Sequence, residues 1–214
     1  MNLAFCCCGR FQRMKALLSF VLLCCLCALP TAAGTIANIV TLIESARSQV
    51  GKTIIYDGSY QRMSYPGGDI PIERGVCTDV IVRAYRALGF DLQQLVHEDM
   101  RKHFNQYPSR RIWGHTRPDR NIDHRRVPNL SAYLMRHAKS FSKDLEKDPA
   151  RPGDILTWNL PGNLPHIGLV SDRKTFDGSQ YLVIHNIGAG TREEDIIGQF
   201  ELTGHYRYHP WMGE

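Results

Sequence analysis

Past residue 33 this chain of 214 residues has a single cysteine: six of its seven lie between Cys6 and Cys27, leaving only Cys77. A lone thiol makes no internal disulfide, and no cysteine pair remains for a structural zinc site. Apolar runs are short as well. The longest, 16–29, falls below the roughly 20 residues of a membrane-spanning helix. There is no Walker motif, and Gly188-Ala189-Gly190 is followed by Glu193 where a dinucleotide fingerprint needs glycine, so nucleotide binding is not expected. His97-Glu98 meets Arg101 where a zincin helix carries its second histidine, so that metal motif fails. Nine histidines still make a site at His97, Asp99, Asp123 and His124 worth weighing, but the expectation is no metal and no cofactor. Charge of one sign is not concentrated: the net +5 is interspersed, without a basic stripe or a stacking platform, so nucleic acid is not an expected partner. No internal repeat is present.

What the chain does have begins with a leader pattern. Arg10, Arg13 and Lys15 precede the apolar stretch 16–29, and Pro30-Thr31-Ala32-Ala33-Gly34 supplies small residues for cleavage after Ala33. Residues 1–33 therefore read as a secretory signal peptide, with an uncleaved anchor as the alternative. The expected location is periplasmic or secreted, with no stable membrane span once the leader is removed. Residues 34–214 are one domain's length of chain, expected to act as a monomer.

Helical spacing fills the first half of that domain. Ile36, Ile39, Val40, Ile43 and Ala46 recur at helix period and predict a helix over 35–50. Cys77 opens a second run, with Val80, Ile81, Ala84 and Leu88 on one face and Gly89 as its stop. Asp91 caps a third, over 92–105, and Asn129 a short fourth through His137. Between them 107–128 is a long polar loop crowded with Arg, His, Asp and Pro, of a length that is usually functional or disordered. The last third changes period. Segments 154–158, 166–171, Tyr181–Asn186 and 200–208 read as strands separated by Pro-Gly-Asn, Asp-Gly and Gly-Ala-Gly turns. Helices first and an antiparallel sheet second make the fold class α+β.

Cysteine chemistry needs a thiolate, and a helix start favours one because unpaired N–H groups point at it. Cys77 has such a position. It also needs a proton carrier and a group that orients the carrier. His166 stands on a strand with Gly168 on its face leaving room beside the ring, and the next strand ends in His185-Asn186. Either could orient His166, but they point to opposite faces; His185 is preferred.

The segments Gly75-Val76-Cys77-Thr78-Asp79, Pro152-Gly153-Asp154-Ile155, His166-Ile167-Gly168-Leu169-Val170 and Ile184-His185-Asn186 resemble the NlpC-type branch of the papain-like cysteine peptidases, mostly bacterial cell-wall hydrolases. Through Asn121–Leu130 and Gly204-His205-Tyr206-Arg207-Tyr208 the wider chain resembles a bacterial family defined only as a domain of unknown function. The resemblance implies N-terminal helices packed on a C-terminal antiparallel sheet. It makes Cys77 the nucleophile, His166 the general base and acid, and His185 the orienting residue. It also implies a tyrosine ahead of the nucleophile, Tyr56 or Tyr60, beside the substrate. In place of that branch's Asp before and Ser-Gly after the cysteine, this chain has Val76 and Thr78-Asp79. Asp79 is then expected to favour the helix start and pair with Arg83 one turn on.

The function these residues imply is a secreted cysteine hydrolase that cleaves amide bonds, in peptidoglycan peptides, through a thioester. An acyltransferase or lipid-acting enzyme with the same intermediate is the alternative, and a non-catalytic wall-binding module a further one. Tyr56, Asp79, Asp123, His124, Arg125 and Asn186 are the candidate substrate-binding residues; the Asp123-His124-Arg125-Arg126 cluster reads equally as a site where the arginines bind a substrate carboxylate or line the cleft, and as a solvated, salt-bridged loop.

Overall fold

Strands need partners far along the chain while helices close their hydrogen bonds locally, so the change of period near residue 138 divides the molecule. The structure, a computed structural model, describes residues 32–212. The proposed leader lies outside the described residues except for Ala32 and Ala33, which open the first helix.

That helix, α1 (Ala32–Arg47), ends three residues before the expected point, in a turn closed by Gly51 at φ 75°. A small parallel pair follows, β1 (Ile55–Tyr56) and β2 (Arg74–Gly75). Helix α2 (Cys77–Arg86) is buried over nine of its ten residues, Cys77 to Tyr85, because it runs through the middle of the fold. Gly89 at φ 83° terminates the turn after it, a conformation only glycine adopts freely. Helix α3 (Leu92–His103) is capped by Asp91, whose carboxylate accepts the Gln93 N–H. The expected long loop instead holds α4 (Ser109–Trp113) and a 3-10 turn, Asp123–Arg125. Helix α5 (Val127–His137) begins two residues before Asn129, since Pro128 in a first turn gives up no helical hydrogen bond.

The second half is one antiparallel sheet in the order β3-β8-β4-β5-β6-β7. Its strands are β3 (Lys139–Ser140), β4 (Ile155–Leu160), β5 (Leu164–Lys174), β6 (Tyr181–Asn186), β7 (Thr191–Glu194) and β8 (Glu201–Arg207). The fold is thus α+β with an antiparallel sheet, as the periods predict. Side chains alternate along each strand. Ile155, Ile167, Leu169, Ile184 and Tyr206 face the helices and bury Val80, Ile81, Ala84 and Tyr85 of α2. Leu156, Trp158, Val170 and Val183 face the other way and are covered by Ile196 and Ile197. At the free end of α1, Arg47 binds Glu193 of β7 at 2.9 Å and Ser171 of β5 at 3.0 Å, fixing the helix to the sheet edge. Among the described residues no helix is long and apolar enough to cross a membrane.

Candidate active site

Val76 is extended (φ −111°, ψ 178°) and has no side-chain acceptor with which to cap α2. The carboxylate of Asp79, three residues on, serves instead: it accepts the Val76 N–H at 2.7 Å. Asp79 does not pair with Arg83. Arg83 turns to Asp69 at 2.9 Å, and Asp79 is held by Arg125 from the 3-10 turn, at 3.0 Å from Nε and 2.9 Å from Nη2. The sequence pointed to Arg83 because an i,i+4 partner is visible locally, whereas Arg125 lies 46 positions away. Arg125 also donates to the carbonyls of Asp57 and Ser59, so one buried guanidinium joins the start of α2 to the segment after β1.

The register of β5 explains where the thiol sits. The Val170 N–H donates to Asp154 at the β4 side, and backbone N–H groups alternate along a strand, so the Ile167 N–H points to the β6 side. Pairing with β6 starts only at Gly168–His185. The Cys77 sulfur lies near the vacated position, where the backbone N–H groups of Ile167, Thr78 and Cys77 itself favour its thiolate form. Asn186 holds this junction. Its Nδ2 donates to the Gly75 carbonyl at 3.1 Å and its Oδ1 accepts the Gly188 N–H, so the end of β6 is tied to the residues just ahead of Cys77.

His166 and His185 share one face of the sheet, the one that carries Trp158, Val170 and Val183 and is turned away from α2. Gly168 pairs with His185, and a Cβ on Gly168 would stand 2.5 Å from the Val183 side chain and 3.2 Å from the His185 Cβ. Glycine is what lets the two strands present both rings together. The His166 Nε2 lies 3.0 Å from the His185 Nδ1, with the rings edge to face and the Trp158 ring beside His166 at 5.9 Å. Of the two residues left open by the sequence, His185 reaches His166 and Asn186 does not. Glu194, diagonal to His185 across the β6–β7 ladder, brings Oε1 to 3.2 Å from the His185 Nε2, an ion-pair distance outside hydrogen-bond geometry. A carboxylate there favours the proton on the His185 Nε2. The His185 Nδ1 is then an acceptor, the His166 Nε2 a donor, and the His166 Nδ1 is left with its lone pair. Glu194 was missed in the sequence because a four-residue strand of Thr-Arg-Glu-Glu gives almost no apolar alternation.

Burial sets the charge state. It pushes the Cys77 thiol up to about 12 against the pull of the three N–H groups, and Asp79 adds to the rise. It pushes His166 down to about 3, with His185 acting in the same direction. His185 is lowered by burial, opposed by Glu194. At neutral pH Cys77 therefore rests as a thiol, and the His166–His185 pair as neutral imidazoles. Tyr56 faces the sulfur from β1; burial first and Cys77 second push its hydroxyl up to about 12. Tyr60 points elsewhere, to Asp119 and Asn121.

The remaining sequence candidates are engaged inside the protein. Asp123, His124 and Arg125 are buried, and Asp123 accepts the Asp119 N–H and the Asn129 amide. Burial raises Asp123 to about 6 and lowers His124 to about 4. The cluster is neither solvated nor open: Asp123, His124 and Arg125 lie inside the loop, where Asp123 and Arg125 brace it. Asp79 and Asn186 are likewise buried supports of the Cys77 position. Among the described residues no group of three or more His, Cys, Asp or Glu side chains is arranged to hold a metal.

Two comparisons bear on this arrangement. The chain is similar to the Escherichia coli (strain K12) protein named "Uncharacterized protein YijF", with 49% identity over 180 residues, 84% of this chain and 86% of that one. The family model described as a domain of unknown function, DUF1287, matches residues 43–208, a span that takes in Cys77, His166, His185 and Glu194. The chain belongs to the DUF1287 family.

Proposed function

We propose that this chain is a cysteine hydrolase of amide bonds with a papain-like, NlpC-type fold, exported from the cytoplasm and acting on peptidoglycan peptides. The observation that carries the reading is the His166–His185 contact of 3.0 Å, made next to Ile167, whose backbone N–H favours the Cys77 thiolate. A thiol at a helix start, an imidazole and an orienting imidazole are the parts that nucleophilic catalysis requires.

The steps follow from the resting charges. In the proposed step the thiol proton passes to the free Nδ1 of His166 as the sulfur attacks the amide carbonyl carbon; His166 stands on the sheet face opposite α2, so substrate entry must bring the start of β5 and the thiol together. The Cys77 N–H donates to the developing oxyanion. The imidazolium then gives its proton to the leaving amine as the C–N bond breaks, and a thioester remains. Water attacks the thioester with His166 again as base, and acid and thiol are released. Glu194 steadies the histidine pair throughout. The 3% exposure of Cys77 means that substrate entry must displace part of the covering β1 segment, where Tyr56 lies. The same burial limits water at the thioester, which gives an acyltransferase reading its footing.

The test is incubation of residues 34–214 with muropeptides, followed by mass spectrometry. New carboxyl and amine termini are expected with the native chain and none with Cys77→Ala. Equal products from both would overturn the hydrolase; mass gains matching an added amine acceptor would identify transfer.

A further inference from the structure

The long polar loop does not serve the cysteine directly, and its outer side forms a separate cavity of about 660 Å³. Its lining includes Arg62, Arg117 and Arg120, with His97 and His115 between them. The one carboxylate in the wall, Asp119, is already engaged: Oδ1 accepts the Asn121 N–H and Oδ2 the Tyr60 hydroxyl. None of the three arginines has a carboxylate partner among the described residues; Arg120 instead lies over the Tyr65 ring, 5.5 Å from its centroid. His97 packs edge-on against the same ring, and its Nδ1 is buried without a hydrogen-bond partner. Arg101 and Arg120 join burial in keeping His97 neutral, so it can donate or accept.

This cavity is braced. Asp123 and Asn129 hold the loop from beneath, and Tyr60 pins it to the segment leading back to Tyr56. Tyr60 stands four positions after Tyr56, so their Cα atoms are at most about 14 Å apart. We propose that the cavity is a binding site for an oxyanion group, carboxylate or phosphate, with at least two negative charges. Three uncompensated guanidiniums in one cleft attract such a group and offer it paired N–H donors, and the ordinary partner of a surface arginine is missing from each. Read together with the proposed hydrolase, on which this last step alone rests, the site would take the anionic end of a substrate whose amide reaches Cys77.

The test is calorimetric titration of residues 34–214, native and Cys77→Ala, with pyrophosphate and with a peptide bearing two free carboxylates, at low and moderate salt. Binding of either probe is expected in both proteins and identifies the anion. R117A/R120A should weaken it by at least about tenfold, while R110A/R111A, with the same change of charge in a neighbouring cavity, should leave it intact. No binding of either probe, or equal weakening by both double variants, would overturn the site. Because Cys77→Ala keeps the cleft, loss of the hydrolase reading leaves the binding result standing on its own.

Discussion

Between Tyr56 and Tyr60 the chain passes from a cluster of buried, neutral groups to a cleft of open, charged ones. On the two sides of β5 the Cys77 thiol and both histidines are shielded from water; His185 holds His166, and Glu194 stands at ion-pair distance from His185. Around Arg117 the cations face solvent and lack partners. In the first region burial decides protonation, so the groups there can change charge only when something else enters. In the second, charge is permanent and available for recognition. A substitution should therefore disturb stability in the first region and binding in the second.

The largest break is expected at the clamp behind Cys77. Arg125→Ala leaves the buried Asp79 carboxylate without its counter-ion and should cost about 3–5 kcal/mol in chemical denaturation. A loss under 1 kcal/mol would mean that Asp79 is satisfied by the Val76 N–H alone. Gly168→Ala comes next. A methyl group 2.5 Å from Val183 must push β6 away, at about 1–3 kcal/mol, and should separate the His166 and His185 rings. Two-dimensional NMR of the ring nitrogens would show whether the pair is kept.

Acid should affect the dry region more gradually. His124 and His166 sit at about 4 and about 3, below the ordinary 6.5, so the unfolded chain gains protons that the folded one refuses. Their support is complete above pH 6.5 and is lost as pH falls. Asp123, raised from 3.8 to about 6, runs the other way and stabilises the fold as pH falls. These three groups alone give a net loss of about 1.4 kcal/mol per pH unit between 6 and 4, and His97, His185 and His209, lowered by burial as well, act in the same direction. Thermal melts across that range would check the slope, and a rising melting temperature would refute it. The smallest effect on stability is expected for Glu194→Gln, within about 0.5 kcal/mol, with kcat lowered about tenfold if the carboxylate sets the histidine tautomers. A steady-state profile in which KM moves and kcat does not would assign Glu194 to binding instead.

The sequence made the helices and main strands legible because their periods are local. Val80, Ile81 and Ala84 mark the buried face of α2, and the run Tyr181–Asn186 matches β6 at both ends. Cys77, His166 and His185 could be picked out for the same reason, each standing at the end of a periodic segment. What escaped was long-range. Arg125 on Asp79 and Asn186 on Gly75 are pairings between segments that no local pattern connects. Burial also reversed the reading of Asp123, His124 and Arg125: polar residues in a loop suggest exposure, yet here the loop folds over them because each has an internal partner or is neutral.

Helix α2 is buried on every side, but β5 and β6, which complete its cover, follow only after the whole of 87–163 has been made. A chain threaded out N-terminus first must keep Val80, Ile81 and Tyr85 uncovered until its last third appears, since the enclosing contacts are non-local. The thiol shares that delay. Cys77 is open to alkylation during this interval and closed afterwards, so a single-site thiol label would time completion of the sheet.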